Sequence, residues 1–197
     1  MTFRLGLTGS IGMGKSTTAQ MFAKAGCALW DADAAVHRLY GKGGAAVGPM
    51  ADAFPAAVSG GAVSRAALRD IISVDPGALK RIEGIVHPLV AADRQAFIEA
   101  ATADIVVCDI PLLFETGGDT AMDAVAVVHV AEDIQEARVM ERGTMTRDQF
   151  LAIKARQMPS AEKCARADFV IETDTVDHAR AQVHHVIEQI RKRIDHA

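Results

Sequence analysis

The stretch GLTGSIGMGKSTTAQMF, residues 6–22, sets four glycines between an apolar opening and an apolar, helix-like close. Phe3 to Leu7 form a short apolar run, the mark of a buried strand, while Met21, Phe22 and Ala25 recur at helical spacing. The glycines therefore occupy a strand-to-helix turn. Gly9 to Ser16 read G-S-I-G-M-G-K-S, a full match to G-x-x-x-x-G-K-[ST] in the setting that the motif requires. Successive backbone N–H groups can turn inward on phosphate oxygens only in conformations that glycine tolerates best, and the following helix N-terminus adds positive partial charge. Lys15 is expected to reach the β- and γ-phosphates of a nucleotide, and the Ser16 hydroxyl to hold Mg²⁺.

Outward from this turn, four more short runs resemble the first: GCALWDAD (26–33), ADIVVCDIPLLFE (103–115), AVAVVHV (124–130) and ADFVIETD (167–174). They are rich in Val, Ile and Leu without strict polar alternation, as in strands buried on both faces of a parallel sheet. Helical segments separate them, which predicts a doubly wound α/β fold with a five-stranded parallel sheet. The spacing is uneven. Residues 34–102 far exceed the dozen or so residues that a minimal crossover needs. They include ADAAVHRLY, SRAALRDIIS and the long DPGALKRIEGIVHPLVAADRQAFIEAA, with Ser64 and Asp75 as natural helix caps, and predict an all-helical insertion. EDIQEARVMERGTMTRDQFLAIKARQM, residues 132–158, predicts two charged helices hinged at Arg142-Gly143, with Thr146 capping the second.

The whole chain, 197 residues with 50% hydrophobic and 23% charged, fits one folding unit with decorations. A formal charge of −4 and the lack of a long basic run argue against a nucleic-acid track. Cys27, Cys108 and Cys164 are odd in number and far apart, and read as reduced thiols of a cytoplasmic protein. No apolar run approaches the roughly 18 residues needed to span a bilayer, so no membrane partner is expected.

The phosphate turn alone does not choose among kinase, GTPase, switch and motor. N-K-x-D is impossible because the chain has no asparagine, and no D-x-x-G occurs, which excludes a GTPase. Asp31 and Asp33 end the second run, at the edge where an open α/β sheet binds its ligands; Asp33 is either a base for a hydroxyl acceptor or, like Asp31, a helix cap. Asp109 ends the third run, as a carboxylate for Mg²⁺ or as a solvated strand end. Arg138 and Arg142, one helical turn apart, either face transferred phosphate or form a solvated face. Trp30 reads as packing. His178, His184, His185 and His196, without partner carboxylates at ligand spacing, read as surface residues rather than metal ligands.

Taken together, LGLTGSIGMGKST, DADAAVHRLY, IVHPLV, DIPLLFE, RVMERGTMTRDQFLAIKARQM and ADFVIETD resemble the dephospho-coenzyme A kinase family over nearly the whole chain. The phosphate turn is shared with many families, but D-A-D, H-P and P-L-L-F-E in this order are far more specific. The resemblance implies a P-loop kinase that passes the γ-phosphate of ATP, with Mg²⁺, to the ribose 3′-hydroxyl of dephospho-coenzyme A. It implies a nucleotide core (about 1–33, 103–132 and 160–197), a coenzyme A-binding insertion (about 34–102) and a lid (about 133–159). Asp33 falls on the general base, with Lys15 and Arg142 as further catalytic groups. ATP would be held by Gly9, Ser10, Ile11, Gly12, Met13, Gly14, Lys15, Ser16, Thr17, Arg138 and Arg142. The acceptor would meet Asp33, His87, Pro88, Leu112 and Glu115, and the metal Ser16 and Asp109. The partners are small molecules, and the chain a monomer or weak homo-oligomer. Two departures stand out. Thr173 takes a place where many members carry asparagine, and Met13 replaces a small polar residue, with little effect expected because the backbone does the binding there. A nucleoside monophosphate kinase and a non-catalytic nucleotide-binding module are the alternatives.

Overall fold

In a computed structural model that describes residues 2–196, the chain divides into two compact units, one formed by residues up to Trp30 and from Ala101 onward, the other by Asp31–Ala100. The first carries a five-stranded sheet. Its strands are β1 (Phe3–Thr8), β2 (Ala28–Asp31), β5 (Ile105–Asp109), β6 (Ala124–His129) and β7 (Phe169–Glu172), in the order β2-β5-β1-β6-β7. β1 pairs in parallel with β5 and with β6, and β6 with β7. The expected α/β fold is thus present, and the strands fall inside the five apolar runs.

Central strands buried on both faces explain the lack of alternation. Leu5, Leu7, Ile105, Val107, Ala126 and Val128 pack into one core with Phe22 of α1 (Lys15–Lys24) and Val183, Val186, Ile187 and Ile190 of α9 (Val176–Asp195). Val125 and Val127 pack into a separate cluster with Leu113 and Phe114. Each of the Val, Leu, Ile and Phe side chains contributes on the order of 1.5–3 kcal/mol when fully buried. Trp30, the one tryptophan, is 1% exposed, so it is a packing residue as the sequence predicts.

After β6 come α6 (Glu132–Glu141), α7 (Arg147–Arg156) and α8 (Ser160–Arg166). The α6–α7 turn uses Gly143 at φ 62°, a left-handed conformation suited to glycine. Thr146 and Gln149 form a complete capping box on α7. Arg147–Glu136 (2.6 Å) and Lys154–Glu132 (3.0 Å) tie the two helices together.

The second unit contains α2 (Ala32–Tyr40), α3 (Val47–Ala53), α4 (Arg65–Val74) and α5 (Ala78–Ala100) around Leu39, Tyr40, Met50, Phe54, Leu68, Ile82 and Val86. Ser64 caps α4 by accepting the Ala67 N–H. The expectation of an all-helical insertion needs correction. Strands β3 (Val58–Ser59) and β4 (Ala62–Val63) form an antiparallel ribbon. Gly60 and Gly61, at φ 59° and 76°, make the tight turn that two consecutive positive-φ residues permit.

Candidate active site

The turn after β1 is shaped by backbone rather than by side chains. Gly12 and Gly14 take φ 79° and 87°, and a Cβ on Gly12 would lie 2.6 Å from Val139 Cγ2 and 3.1 Å from the Gln135 carbonyl. Gly14 is the N-cap of α1, where no side chain caps the helix and no acidic residue sits in the first turn. An uncapped helix N-terminus with exposed Ser16 and Thr17 beside it is a ready anion site.

The outer rim of this loop is held by protein groups. Thr173, after β7, donates its hydroxyl to the Met13 carbonyl at 2.8 Å. Met13 is 1% exposed, and its sulfur accepts the Val130 N–H at 3.3 Å. Beyond the backbone role expected of it, Met13 places its side chain in the main core. The buried Thr173 hydroxyl braces the loop.

Lys15, the first residue of α1, is ion-paired with Asp109, the last residue of β5. Asp109 is buried, not a solvated strand end. Next to it, Thr8 donates to the Pro111 carbonyl at 3.1 Å and Ile110 N–H to Leu7 O at 3.0 Å, fixing the segment that follows β5. Ser16 and Asp109 offer a hydroxyl and a carboxylate, the hard oxygen donors that Mg²⁺ takes together with phosphate oxygens and water. The donor set fits the ion.

On the other flank, Gly14, Thr17, Arg138, Arg142, Thr173 and Thr175 line a cavity of about 220 Å³. The two arginines are thus brought to one cavity but in different states. Arg138 donates to the Thr173 carbonyl at 2.5 Å, to its hydroxyl at 3.2 Å and to the Asp174 carbonyl at 3.3 Å. Arg142, at the C-cap of α6, is exposed on the rim. Below them, His178 pairs with Asp174 at 2.7 Å and holds that carboxyl below its usual range, so one of the supposed lone histidines does have a carboxylate partner.

In the second unit the paired aspartates separate. Asp31 caps α2, accepting the Ala34 N–H at 2.8 Å, whereas Asp33 is an exposed first-turn residue. Within that unit α2 packs on α5, joined by Arg38–Asp93 at 2.6 Å. His87 and Pro88 are exposed residues in the middle of α5, which continues through the proline.

Leu112 and Glu115 lie in the first unit, after β5. Leu112 is exposed, but Glu115 is already engaged: it accepts the Met158 N–H at 2.9 Å and pairs at 2.9 Å with Lys163, whose side chain is fully buried. Burial pushes the Glu115 carboxyl up, and the Lys163 and Met158 donors outweigh it, leaving the group below its ordinary value. Two further residues escape sequence reading. Gln135, on α6, and Gln157, after α7, both bond the backbone of Ile11 in the phosphate loop. Among the described residues no helix is long and apolar enough to cross a membrane.

Comparison with known proteins agrees with this geometry. The family model described as dephospho-CoA kinase matches residues 3–178. A dephospho-CoA kinase of Ruegeria pomeroyi is 70% identical over 197 residues, covering all of both chains, and one of Cereibacter sphaeroides is 60% identical over 193 residues, 98% of each. Among solved structures, TT1252 of Thermus thermophilus superposes with a TM-score of 0.85 at 31% identity, over 95% of this chain and 97% of that one. The dephospho-CoA kinase of Campylobacter jejuni, at 24% identity and a TM-score of 0.72 over 98% of each chain, shares the fold. A match that begins in β1 and runs on into α9, with relatives this similar from end to end, places the chain in the dephospho-CoA kinase family.

Proposed function

We propose that this protein transfers the γ-phosphoryl group of ATP to the ribose 3′-hydroxyl of dephospho-coenzyme A, giving coenzyme A and ADP. The identity of 70% along the full chain to a protein described as a dephospho-CoA kinase supports the choice of acceptor. The phosphate loop, with Lys15 fixed beside the end of β5, supports the reaction type.

In this reading the amides of Gly12 to Thr17 and the N-terminus of α1 hold the phosphates, and the cavity by Arg138 and Thr173 takes the nucleoside. Asp33, relieved of helix capping by Asp31, accepts the proton of the 3′-hydroxyl as its oxygen bonds to the γ-phosphorus. The bond from that phosphorus to the β,γ-bridging oxygen breaks, and ADP leaves. Lys15 and Arg142 place positive charge against the transferring group. Ser16 and Asp109 would hold the magnesium ion, which when bound neutralises charge on the β- and γ-phosphates. His87, Pro88 and Leu112 would meet the acceptor, and the α6–α7 hairpin would be the lid that excludes water. Glu115, bound to Lys163 and Met158, also supports the end of that lid. Reduced thiols, two of them buried, suit a cytoplasmic setting.

The test is ADP release with Mg²⁺-ATP and dephospho-coenzyme A beside AMP, CMP and adenosine, with mass spectrometry of the products. One phosphate gained on dephospho-coenzyme A alone is the expected result. Phosphate gained on a monophosphate instead would leave the loop standing and overturn the acceptor.

A further inference from the structure

Ile11 is the third residue of the phosphate loop, and both polar groups of its backbone are taken by side chains from far along the chain. Gln135, on α6, donates its Nε2–H to the Ile11 carbonyl at 2.6 Å. Gln157, in the turn that follows α7, accepts the Ile11 N–H on Oε1 at 3.1 Å. These glutamines stand at the two roots of the α6–α7 hairpin, and 124 and 146 residues separate them from their common partner.

Their surroundings fix each one. Gln135 is fully buried, where a carboxamide is costly unless hydrogen-bonded; its Nε2–H is satisfied by Ile11 while its Oε1 has no hydrogen-bond partner among the described residues, and α6 presses on the next loop residue so closely that Gly12 has no room for a Cβ. Gln157 is followed by Met158, whose N–H is held by Glu115, itself paired with buried Lys163. Both glutamines border a cavity of about 550 Å³ that also touches Ser10 and Met13. The loop rim and the hairpin roots therefore form one connected hydrogen-bonded body.

We infer that Gln135 and Gln157 are positioning residues: they lock the peptide groups of Ile11 to the hairpin roots, so that the anion-binding shape of the loop and the placement of the hairpin are set together. This deepens the kinase reading, on which it rests, because neither side chain is asked to touch substrate. The N–H and the carbonyl of Ile11 belong to the two peptide groups on either side of its Cα, so losing either hydrogen bond frees the backbone torsions between them and weakens phosphate binding. Losing the second adds little, since those torsions are already released.

The experiment is a double-mutant cycle with Gln135→Met, Gln157→Met and the pair, reading the Kd for Mg²⁺-ADP by calorimetry and the urea midpoint of each variant. Each single change is expected to weaken ADP binding about tenfold, and the pair by about the same factor rather than a hundredfold. The KM for ATP rises in step, while the KM for the acceptor stays put. Gln157 is only half-buried, so Gln157→Met serves alone should Gln135→Met not fold. An unchanged Kd in Gln157→Met, or a multiplicative loss in the pair, overturns the inference. Because ADP binding needs no acceptor, the result stands apart from the acceptor assay: wild-type protein that binds ADP but phosphorylates nothing would refute the kinase reading alone.

Discussion

The ammonium of Lys15 and the carboxylate of Asp109 are paired across the gap between the start of α1 and the end of β5. The pair holds the lysine beside the loop. Preorganised charge of this kind is where electrostatic catalysis draws its strength. Lys15→Ala is expected to lower kcat by about 10²-fold or more, in line with the loss of one transition-state contact. Steady-state kinetics at saturating Mg²⁺-ATP measure it. An unchanged kcat would mean that this loop does not hold the reacting nucleotide.

Asp31 and Asp33 are expected to fail in different ways. Removing the cap by Asp31→Ala costs about 1 kcal/mol of stability. Asp33→Asn is expected to keep ATP binding and to lower turnover by roughly 10²-fold, as for a lost general base. Thermal unfolding and single-turnover kinetics on both variants separate the two roles. Near-normal turnover in Asp33→Asn removes the base.

Met13→Ala tests the buried loop side chain. Truncating a buried methionine costs about 2–5 kcal/mol, which for a chain of this size lowers Tm by about 2–4 °C per kcal/mol. A shift within 2 °C would show that the surroundings collapse onto the vacated space.

Glu115 gives a pH signature. Its folded-state pKa lies below the unfolded value, so its contribution is fully present above about pH 4.5 and is lost as pH falls through the folded value. Asp123, held down by Arg4, and Asp104, held down by Arg191, act in the same direction. Urea midpoints from pH 7 to pH 3 are expected to fall most steeply below pH 4.5, and Glu115→Gln to flatten that slope. Equal slopes in both proteins would show that the Glu115–Lys163 pair contributes nothing to acid sensitivity. Lys163→Met, which strands the carboxylate, is expected to cost about 3 kcal/mol at neutral pH.

The sheet and the loop are legible in the sequence because both depend on local pattern. Short Val/Ile/Leu runs mark doubly buried strands, and the spacing of Gly9, Gly14, Lys15 and Ser16 is itself the geometry of a phosphate turn. The ribbon at Val58–Val63 is a different case. Gly60-Gly61 between Val58-Ser59 and Ala62-Val63 is a hairpin signal, but strands of two residues carry no periodicity and the flanking helices mask them. Gln135 and Gln157 were not legible at all, and Thr173 stood out only as a departure from the family pattern, not for the bond it makes to the loop. A glutamine on a charged helix looks solvated, and its partner lies more than a hundred residues away. Lys163 was hidden for the same reason: nothing local announces that a lysine in SAEKCAR is buried against Glu115.

Trp30 closes β2 from within the core, one residue before the helix cap and three before the expected base. Being the sole indole of the chain, it makes the enzyme its own optical probe. Shielded from water, it emits toward the blue, and any event that loosens the end of β2 moves that emission to the red. Changes at the end of β2 are therefore visible in unlabelled protein, on the time scale of a stopped-flow mixer.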